Sequence, residues 1–256
     1  MRHRFSPAAG ALAVLLFSVP VSALPWTPGP HPDPQAILTG AERDTEAGRY
    51  EDALAKFVWF HEHALEVQPA MAGVRLSFAL SYWSDLGAAY PPALEKLRSE
   101  RDRAGDEARR AANALPPFHD FAAINGVLKE DEKTAELFAF YDEESPERAS
   151  AVYLAAEPAL VKTKHYALCG RYIDPDRSFE RIVRLRDALA GMTMTPGFKE
   201  KSFSTNVATL VGLLAVNGRK EDAARIAEKA RGLSDDADYR KAIDAALRGE
   251  VPPPWP

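Results

Sequence analysis

The chain has 256 residues, of which 46% are hydrophobic and 27% are charged, and its formal net charge is −5 at pH 7. A mildly acidic chain without a block of basic residues argues against binding to nucleic acid or to an anionic membrane surface. Cys169 is the only cysteine, so no internal disulfide can form and packing alone must hold the fold. We expect Cys169 to be a small buried residue, with an intermolecular bridge as the alternative.

The first residues carry the pattern of a secretory signal. A basic start, Arg2-His3-Arg4, precedes a run of small and apolar residues from Ala8 to Val19, and Val21-Ser22-Ala23 fits the small-x-small cleavage rule. The apolar run is broken by Pro20 and is shorter than the roughly 20 residues that span a bilayer, which argues against the alternative of an uncleaved anchor. We therefore predict a signal peptide over residues 1–23, no membrane insertion after its cleavage, and a periplasmic or secreted protein.

Four prolines within residues 24–33 predict an extended, proline-rich linker. From residue 34 onward Ala, Leu, Glu, Arg and Lys dominate, as is typical of helix interiors, and no strand-like alternation is sustained. The chain is therefore predicted to be all-α. The predicted helices are 34–47, 50–67, 69–86, 91–113, 117–128, 131–143, 146–168, 175–190, 196–217, 220–232 and 235–248.

Proline and glycine supply the predicted helix boundaries. A side-chain oxygen that can cap a helix precedes proline in Asp33-Pro34, Ser145-Pro146, Asp174-Pro175 and Thr195-Pro196. Glycine accepts the left-handed conformation at a helix end, so glycines are expected to end helices. These are Gly48, Gly87, Gly170, Gly191, Gly218 and Gly249. Pro158 is expected to kink or split helix 146–168 because its ring clashes with the preceding turn.

One phrase occurs near both ends of the chain, as Gly48-Arg49-Tyr50-Glu51-Asp52-Ala53 and as Gly218-Arg219-Lys220-Glu221-Asp222-Ala223. An amphipathic helical run follows each copy, which is the mark of a helical repeat. Chance is the alternative explanation, because glycine followed by charged residues and alanine is a common helix start.

With the residues that follow, the first copy resembles the second half of a tetratricopeptide repeat (TPR). The matching positions are Gly48, Tyr50, Ala53, Leu54, Phe57, Ala64, Leu65 and Pro69. Residues 205–234 are similar, with Lys220 in place of the expected aromatic residue. The resemblance implies an α-solenoid of about five antiparallel helical hairpins over residues 34–248, in which helix 235–248 caps the last hairpin.

The spacing of the repeat departs from this family. Equivalent positions lie 40 to 45 residues apart, against 34 in the family, so the middle units could instead be hairpins of a HEAT-type array. These positions are Ala53, Ala93, Ala135, Ser178 and Ala223. The proline-rich tail, 249–256, is predicted to be frayed or lightly docked, with docking on a partner or on the array itself as the alternative.

The sequence contains no recognisable catalytic, cofactor or metal motif. His61-Glu62-His63 has its histidines two residues apart, so on a helix their side chains diverge and cannot share one ion. We therefore predict no catalytic, cofactor-binding or metal-ligating residue and no cofactor. A catalytic site assembled across helices would leave no local motif, and it stays as an alternative.

Two groups of side chains are candidates for partner binding. Phe78, Tyr82 and Trp83 belong to the densest aromatic stretch, which the interior of the first hairpins could equally explain. Tyr153, Lys162 and His165 belong to a face that mixes cations with aromatic residues. We predict a non-catalytic periplasmic or secreted protein that binds a protein or peptide partner. The alternatives are a scaffold or accessory subunit of a cell-envelope assembly and an enzyme whose site is assembled across helices.

Overall fold

The computed structural model describes residues 26–254, and all of their regular secondary structure is helical, which confirms the predicted all-α class. The predicted signal peptide and the last two residues of the tail lie outside the described residues. None of the helices within 26–254 has the length and apolarity needed to cross a membrane. The helices are α1 (Pro34–Glu46), α2 (Tyr50–Val67), α3 (Ala72–Arg75), α4 (Phe78–Ala89), α5 (Pro91–Arg110), α6 (Leu115–Leu128), α7 (Asp131–Glu144), α8 (Pro146–Lys162), α9 (Tyr166–Tyr172), α10 (Pro175–Ala190), α11 (Phe198–Val216), α12 (Lys220–Arg231) and α13 (Ala237–Leu247).

The helices pack mainly on neighbours in the chain. Helix α1 packs on α2, α2 on α4, α4 on α5 and α5 on α6, and further along α10, α12 and α13 pack around α11. Two hydrophobic clusters result, one built from Leu38 to Leu97 with Ile124, and the other running from Ala104 to Ala246. Helices α5 and α6 contribute to both clusters. This order of contacts is consistent with a helical repeat fold, while the solenoid geometry itself stays a prediction.

The five positions aligned across the repeat share one structural property, because all of them are buried on separate helices. Ala53, Ala93, Ala135 and Ala223 are at most 1% exposed and Ser178 is 6% exposed. A small side chain lets the backbone of a neighbouring helix approach closely. Burial at all five positions is consistent with their predicted equivalence, which stays a prediction.

The repeated phrase forms the same turn at both ends of the chain. Gly48 and Gly218 have φ values of 74° and 75°. The next amide, of Arg49 or Arg219, donates to a carbonyl five residues earlier, at 2.8 and 2.9 Å. This is the Schellman ending of a helix, in which a left-handed residue lets two amides satisfy the last carbonyls. Lys129 and Lys164 form the same turn with φ values of 58° and 61°.

The predicted caps before proline are only partly correct. Asp33 accepts from the amides of Gln35 and Ala36, and Asp174 accepts from that of Arg177, as predicted. Ser145 makes no side-chain cap. Thr195 does not cap a helix, because α11 begins at Phe198 and not at Pro196. The residue before α11 is Gly197, with φ of 77°.

Two of the glycines predicted to end helices lie inside them. Gly87 is within α4, and a Cβ there would approach the Cβ of Leu94 to 3.0 Å. Gly170 is within α9, where a Cβ would meet the Asn217 side chain at 2.3 Å. Gly170 therefore needs glycine because of the Asn217 side chain at the end of α11, whereas a Cβ at Gly87 would require Leu94 of α5 to move by a few tenths of an ångström.

Two predicted helices are each divided. Residues 69–86 form a 3₁₀ turn at Pro69–Met71, the short α3, a break at Leu76 and Ser77, and then α4. The stretch 146–168 divides at the turn around Lys164, while Pro158 lies inside the continuous α8. Of the two predicted effects of Pro158, the split is wrong, because a left-handed turn six residues later ends the helix, and the kink stays a prediction.

The C-terminal helix packs on α11 and α12, the position predicted for a capping helix. Its N-cap is Asp236, whose side chain accepts from the amide of Tyr239. After Gly249, with φ of 92°, the chain leaves the helix, and Glu250 and Val251 lie against Gly212 of α11. The described part of the tail is therefore docked on the helical array.

Candidate functional site

The helical array opens between α8 and α10, which follow one another in the chain with only the short α9 between them. The main neighbours of α8 are α6, α7 and α9, whereas those of α10 are α11 and α12. The short helix α9 lies between them in the chain and packs on α8 and α11. The short α9, which follows the turn at Lys164, therefore separates α8 from α10.

A cleft with two adjoining lobes lies between α8, α10 and α11, and Leu154, Ser178 and Arg181 border both lobes. The apolar lobe has a volume of about 420 Å³ and is lined mainly by Leu154, Pro158, Val161, Ile182, Leu185 and Leu210, with Pro254 of the tail also in its wall. The polar lobe has a volume of about 510 Å³ and is lined mainly by Ser150, Tyr153, Asp174, Arg177, Arg181 and Arg184.

A row of arginines marks the polar lobe. Arg177, Arg181 and Arg184 follow one another at intervals of four and three residues, so α10 presents them on one face. Arg181 lies 3.4 Å from the Glu157 carboxylate and Arg184 lies 3.6 Å from that of Glu180. Arg181 and Arg184 are 40% and 69% exposed at their side chains and can still reach a further anion.

Two ionisable groups with shifted pKa values line the cleft, Tyr153 in the polar lobe and Glu157 in the apolar lobe. Tyr153 is 3% exposed, and its hydroxyl lies near the Glu157 carboxylate and the Cys169 thiol. Burial, and to a lesser extent the Glu157 carboxylate, raises the pKa of Tyr153. Burial also raises the pKa of Glu157, although Arg181 acts in the opposite direction. Both groups are therefore kept towards their neutral forms.

Cys169 belongs to the same buried region. It is fully buried, as predicted. Burial raises the pKa of its thiol to about 12. The thiol therefore stays protonated at neutral pH, and a protonated buried thiol is a poor nucleophile.

Thr209 of α11 adds a polar atom to the apolar lobe. Its hydroxyl oxygen is buried and has no hydrogen-bond partner among residues 26–254. A buried polar group without a partner costs free energy. A ligand that fills this lobe and carries one hydrogen-bonding group would remove that cost.

The residues of the first predicted binding group, Phe78, Tyr82 and Trp83, differ in their exposure to solvent. Trp83 is 1% exposed, stacks on Phe57 and donates from Nε1 to the Ala93 carbonyl at 2.9 Å, so its assignment as a partner-binding residue was wrong. Phe78 is 62% exposed and Tyr82 is half-buried, and both lie on α4. This pair is accessible, but it is separate from the cleft.

The second predicted group does not form one face. Tyr153 is buried against Phe138 and Tyr172 beside the cleft. Lys162 and His165 lie at the other end of α8, where they contact Asp131 and Glu132 at 3.3 and 3.6 Å. Nine residues along a helix amount to a half-turn difference in direction, so Tyr153 and Lys162 point to opposite sides. The predicted joint face was therefore wrong.

A second buried polar cluster joins α2, α3 and α6. Arg75 donates to the His61 carbonyl at 2.6 Å and forms a paired contact with Asp120 at 2.6 and 2.8 Å. Burial, followed by the charge of Arg75, lowers the pKa of His61 to about 4. His61 is buried while His63 is half-exposed, so the two rings diverge as expected. Within residues 26–254 no group of three or more His, Cys, Asp and Glu side chains is arranged to hold a metal ion.

Sequence reasoning missed the apolar residues of the cleft. Leu154 and Leu185 are 54% and 45% exposed and stand on the rim of the apolar lobe. A signal exists in α10, where Phe179, Ile182, Val183 and Leu185 form a stripe wider than one neighbouring helix would cover. Thr209 carries no comparable signal, because its role depends on the opening between α8 and α10.

Comparison of the chain with protein-family models, with curated proteins and with solved structures gives no match.

Proposed function

We propose that this chain is a non-catalytic, TPR-like helical-repeat protein of the periplasm or the extracellular space, and that it binds an extended segment of a protein or peptide partner. The observation that carries the proposal is the cleft between α8, α10 and α11, which joins an apolar lobe to a lobe bordered by arginines. The signal-like pattern of residues 1–23 supports export.

The size of the cleft favours a short segment of polypeptide as the ligand. Each lobe falls in the range of 300 to 1,000 Å³ that is typical of ligand sites. An extended peptide would place an apolar side chain against Ile182 and Leu210, and a neighbouring carboxylate near Arg181 or Arg184. Arginine binds a carboxylate through two parallel hydrogen bonds, which fixes the direction of the bound segment.

The rim of the cleft also favours a macromolecular partner. Leu154 and Leu185 are exposed leucines on opposite walls of the apolar lobe. Exposed apolar residues grouped around a groove are typical of interaction sites, whereas single exposed leucines are common on any surface. A bound segment would cover both side chains.

Peptide selection tests the proposal. A displayed library of random peptides is selected on the purified protein, and the enriched peptides are measured by titration calorimetry. We expect peptides with an apolar or aromatic residue beside an acidic one, and we expect Leu185→Glu to weaken their binding at least tenfold. Leu115→Glu is the matched control, because Leu115 is 41% exposed and lies on α6, away from the cleft. Equal binding by both variants, or no enrichment, would contradict the proposal.

One observation favours an enzyme as a second candidate function. Glu157 has a raised pKa and borders the cleft, and such a group in a cleft can act as a general acid or base. Glu157→Gln separates the two functions. If the chain is a binding protein, the selected peptides keep their affinity and no turnover is seen with either form. If it is an enzyme, the unmodified chain turns over a substrate in a hydrolase panel and the variant does not.

A further inference from the structure

The described end of the tail leads into the cleft. Glu250 and Val251 lie against α11, where a Cβ on Gly212 would meet the Glu250 carbonyl oxygen at 2.6 Å and the Val251 side chain at 3.2 Å. Pro254, three residues beyond Val251, lines the apolar lobe together with Thr209 and Leu210 of the same helix. The tail therefore runs along α11 from the contact at Gly212 to the lobe.

The next residue is Trp255. Consecutive Cα atoms are 3.8 Å apart, so covalent geometry alone keeps the backbone of the next residue close to Pro254, which lines the lobe. The three prolines that precede it restrict the backbone and reduce the entropy lost when the segment docks. Trp255 is thus the residue next in sequence to one that lines the apolar lobe.

The chemistry of an indole matches the apolar lobe. Its ring offers a large apolar surface, of about 150–250 Å², and a single N–H donor that usually finds a partner when buried. The lobe offers walls formed by Val161, Ile182 and Leu210, and a buried Thr209 hydroxyl oxygen without a partner among the described residues. A neutral donor also adds no charge beside the half-buried Glu157, which lines the same lobe.

We propose that Trp255 occupies the apolar lobe, so that the chain's own proline-rich tail is the resident ligand of the cleft. The class of external ligand follows, because a partner must displace this tail and should itself be an extended, proline-rich segment that bears an aromatic residue. This second step rests on the proposed function, whereas the docking of Trp255 does not.

Fluorine NMR on the full chain tests the docking. The chain has four tryptophans, and labelling with 5-fluorotryptophan gives one resonance for each. The resonance that disappears in Trp255→Phe belongs to Trp255. We expect this resonance to show little change between H₂O and D₂O, as for a buried ring, and to move to a solvent-exposed position in Leu185→Glu but not in Leu115→Glu. The proposal is overturned if the Trp255 resonance of the unmodified chain is solvent-exposed and does not shift in Leu185→Glu. A buried signal that is lost on dilution also overturns it, because the occupant would then come from a second copy.

Competition tests the second step. The probe is a fluorescein-labelled peptide with the sequence of residues 250–256, and its binding is followed by anisotropy. A tethered segment has an effective concentration in the millimolar range, so Trp255→Ala should bind a peptide of about 100 μM affinity about tenfold more tightly than the unmodified chain does. Equal affinity in the two forms overturns the proposal and leaves the proposed function standing. If the Trp255→Ala variant does not bind the 250–256 probe, the proposed ligand class is overturned. If it does not bind the peptides selected from the library, the proposed function itself is contradicted.

Discussion

Gly212 in α11 is packed so closely on Glu250 that a side chain on the glycine would collide with the backbone of the tail. The distance from an ideal Cβ to the Glu250 carbonyl oxygen is only 2.6 Å. Glycine inside a helix is less favourable than alanine by roughly 0.5–1 kcal/mol. Helix stability alone would therefore favour alanine at this position, and the close approach of the tail accounts for glycine.

Gly212→Ala should detach the tail from α11. The added methyl cannot be accommodated beside a backbone atom without movement, so we expect faster cleavage of the chain near Glu250 in limited proteolysis. The change in the free energy of unfolding should stay within about 1 kcal/mol, because the gain in helix propensity offsets the lost contact. Gly126→Ala is the control, since nothing lies within 4 Å of its added Cβ. It should leave cleavage unchanged, and unaltered tail protection in Gly212→Ala would refute the docking.

Lys129→Gly and Lys164→Gly should each stabilise the protein. Both lysines are exposed and hold the left-handed conformation, with φ of 58° and 61°. That conformation costs a residue with a side chain roughly 1–2 kcal/mol, and the greater freedom of glycine in the unfolded chain removes part of the gain. We expect each variant to raise the free energy of unfolding by about 0.5–1 kcal/mol in urea denaturation. Gly218→Ala, at the equivalent turn, should lower it by a similar amount. A loss of stability in the lysine variants would contradict this view of the turns.

The same turns show what could be predicted from the sequence. The endings at Gly48 and Gly218 were marked by glycine, and the starts at Pro34 and Pro175 by a capping aspartate, so these boundaries are correct to within a residue or two. The turn at Lys164 has neither mark. Its left-handed residue is a lysine and not a glycine, so the short α9 and the opening between α8 and α10 could not be predicted from local signals.

The candidate site was harder to predict than the fold, because exposure depends on helix direction. Phe78 and Tyr82 are one turn apart and stay accessible, yet Trp83 is turned into the core by the position of α5. The lining of the cleft joins residues of α8, α10, α11 and the tail that are distant in sequence. The wide apolar stripe of α10 is the local sequence signal that indicates the cleft.

Trp83→Phe should destabilise the protein far more than Phe78→Ala. The substitution removes the 2.9 Å hydrogen bond to the Ala93 carbonyl and leaves space beside Phe57 in a fully buried position. Lost packing and a lost buried hydrogen bond together cost about 1–3 kcal/mol. Phe78 is 62% exposed, so its truncation should cost about 0.5 kcal/mol or less. Urea denaturation of both variants measures the difference. A larger loss in the free energy of unfolding for Phe78→Ala than for Trp83→Phe would contradict the burial of Trp83.

His61 should make the protein less stable as the pH falls from about 6.5 towards 4. Its pKa in the folded chain is lowered to about 4 by burial and by Arg75, whereas an unperturbed histidine has a pKa of about 6.5. Between these values the unfolded chain binds the proton first, so the free energy of unfolding is largest above pH 6.5 and decreases on acidification. Asp44, Glu100 and Glu130 have lowered pKa values, and their contributions are lost only at lower pH, below the ordinary carboxylate range.

His61→Gln tests this dependence by removing the titrating ring. Urea denaturation at several pH values between 7 and 4.5 should show a shallower slope for the variant, with a difference of a few kcal/mol at most (about 1.4 kcal/mol for each unit of pKa shift). Burial raises the pKa of Glu157, so the protonated form is favoured in the folded chain and its contribution to the pH dependence has the opposite sign. The slopes of the variant and the unmodified chain are therefore compared with each other. His63→Gln is the control, because it lies on the same helix with its side chain 44% exposed. Parallel curves for His61→Gln and the unmodified chain would show that the buried imidazole does not control stability in this range.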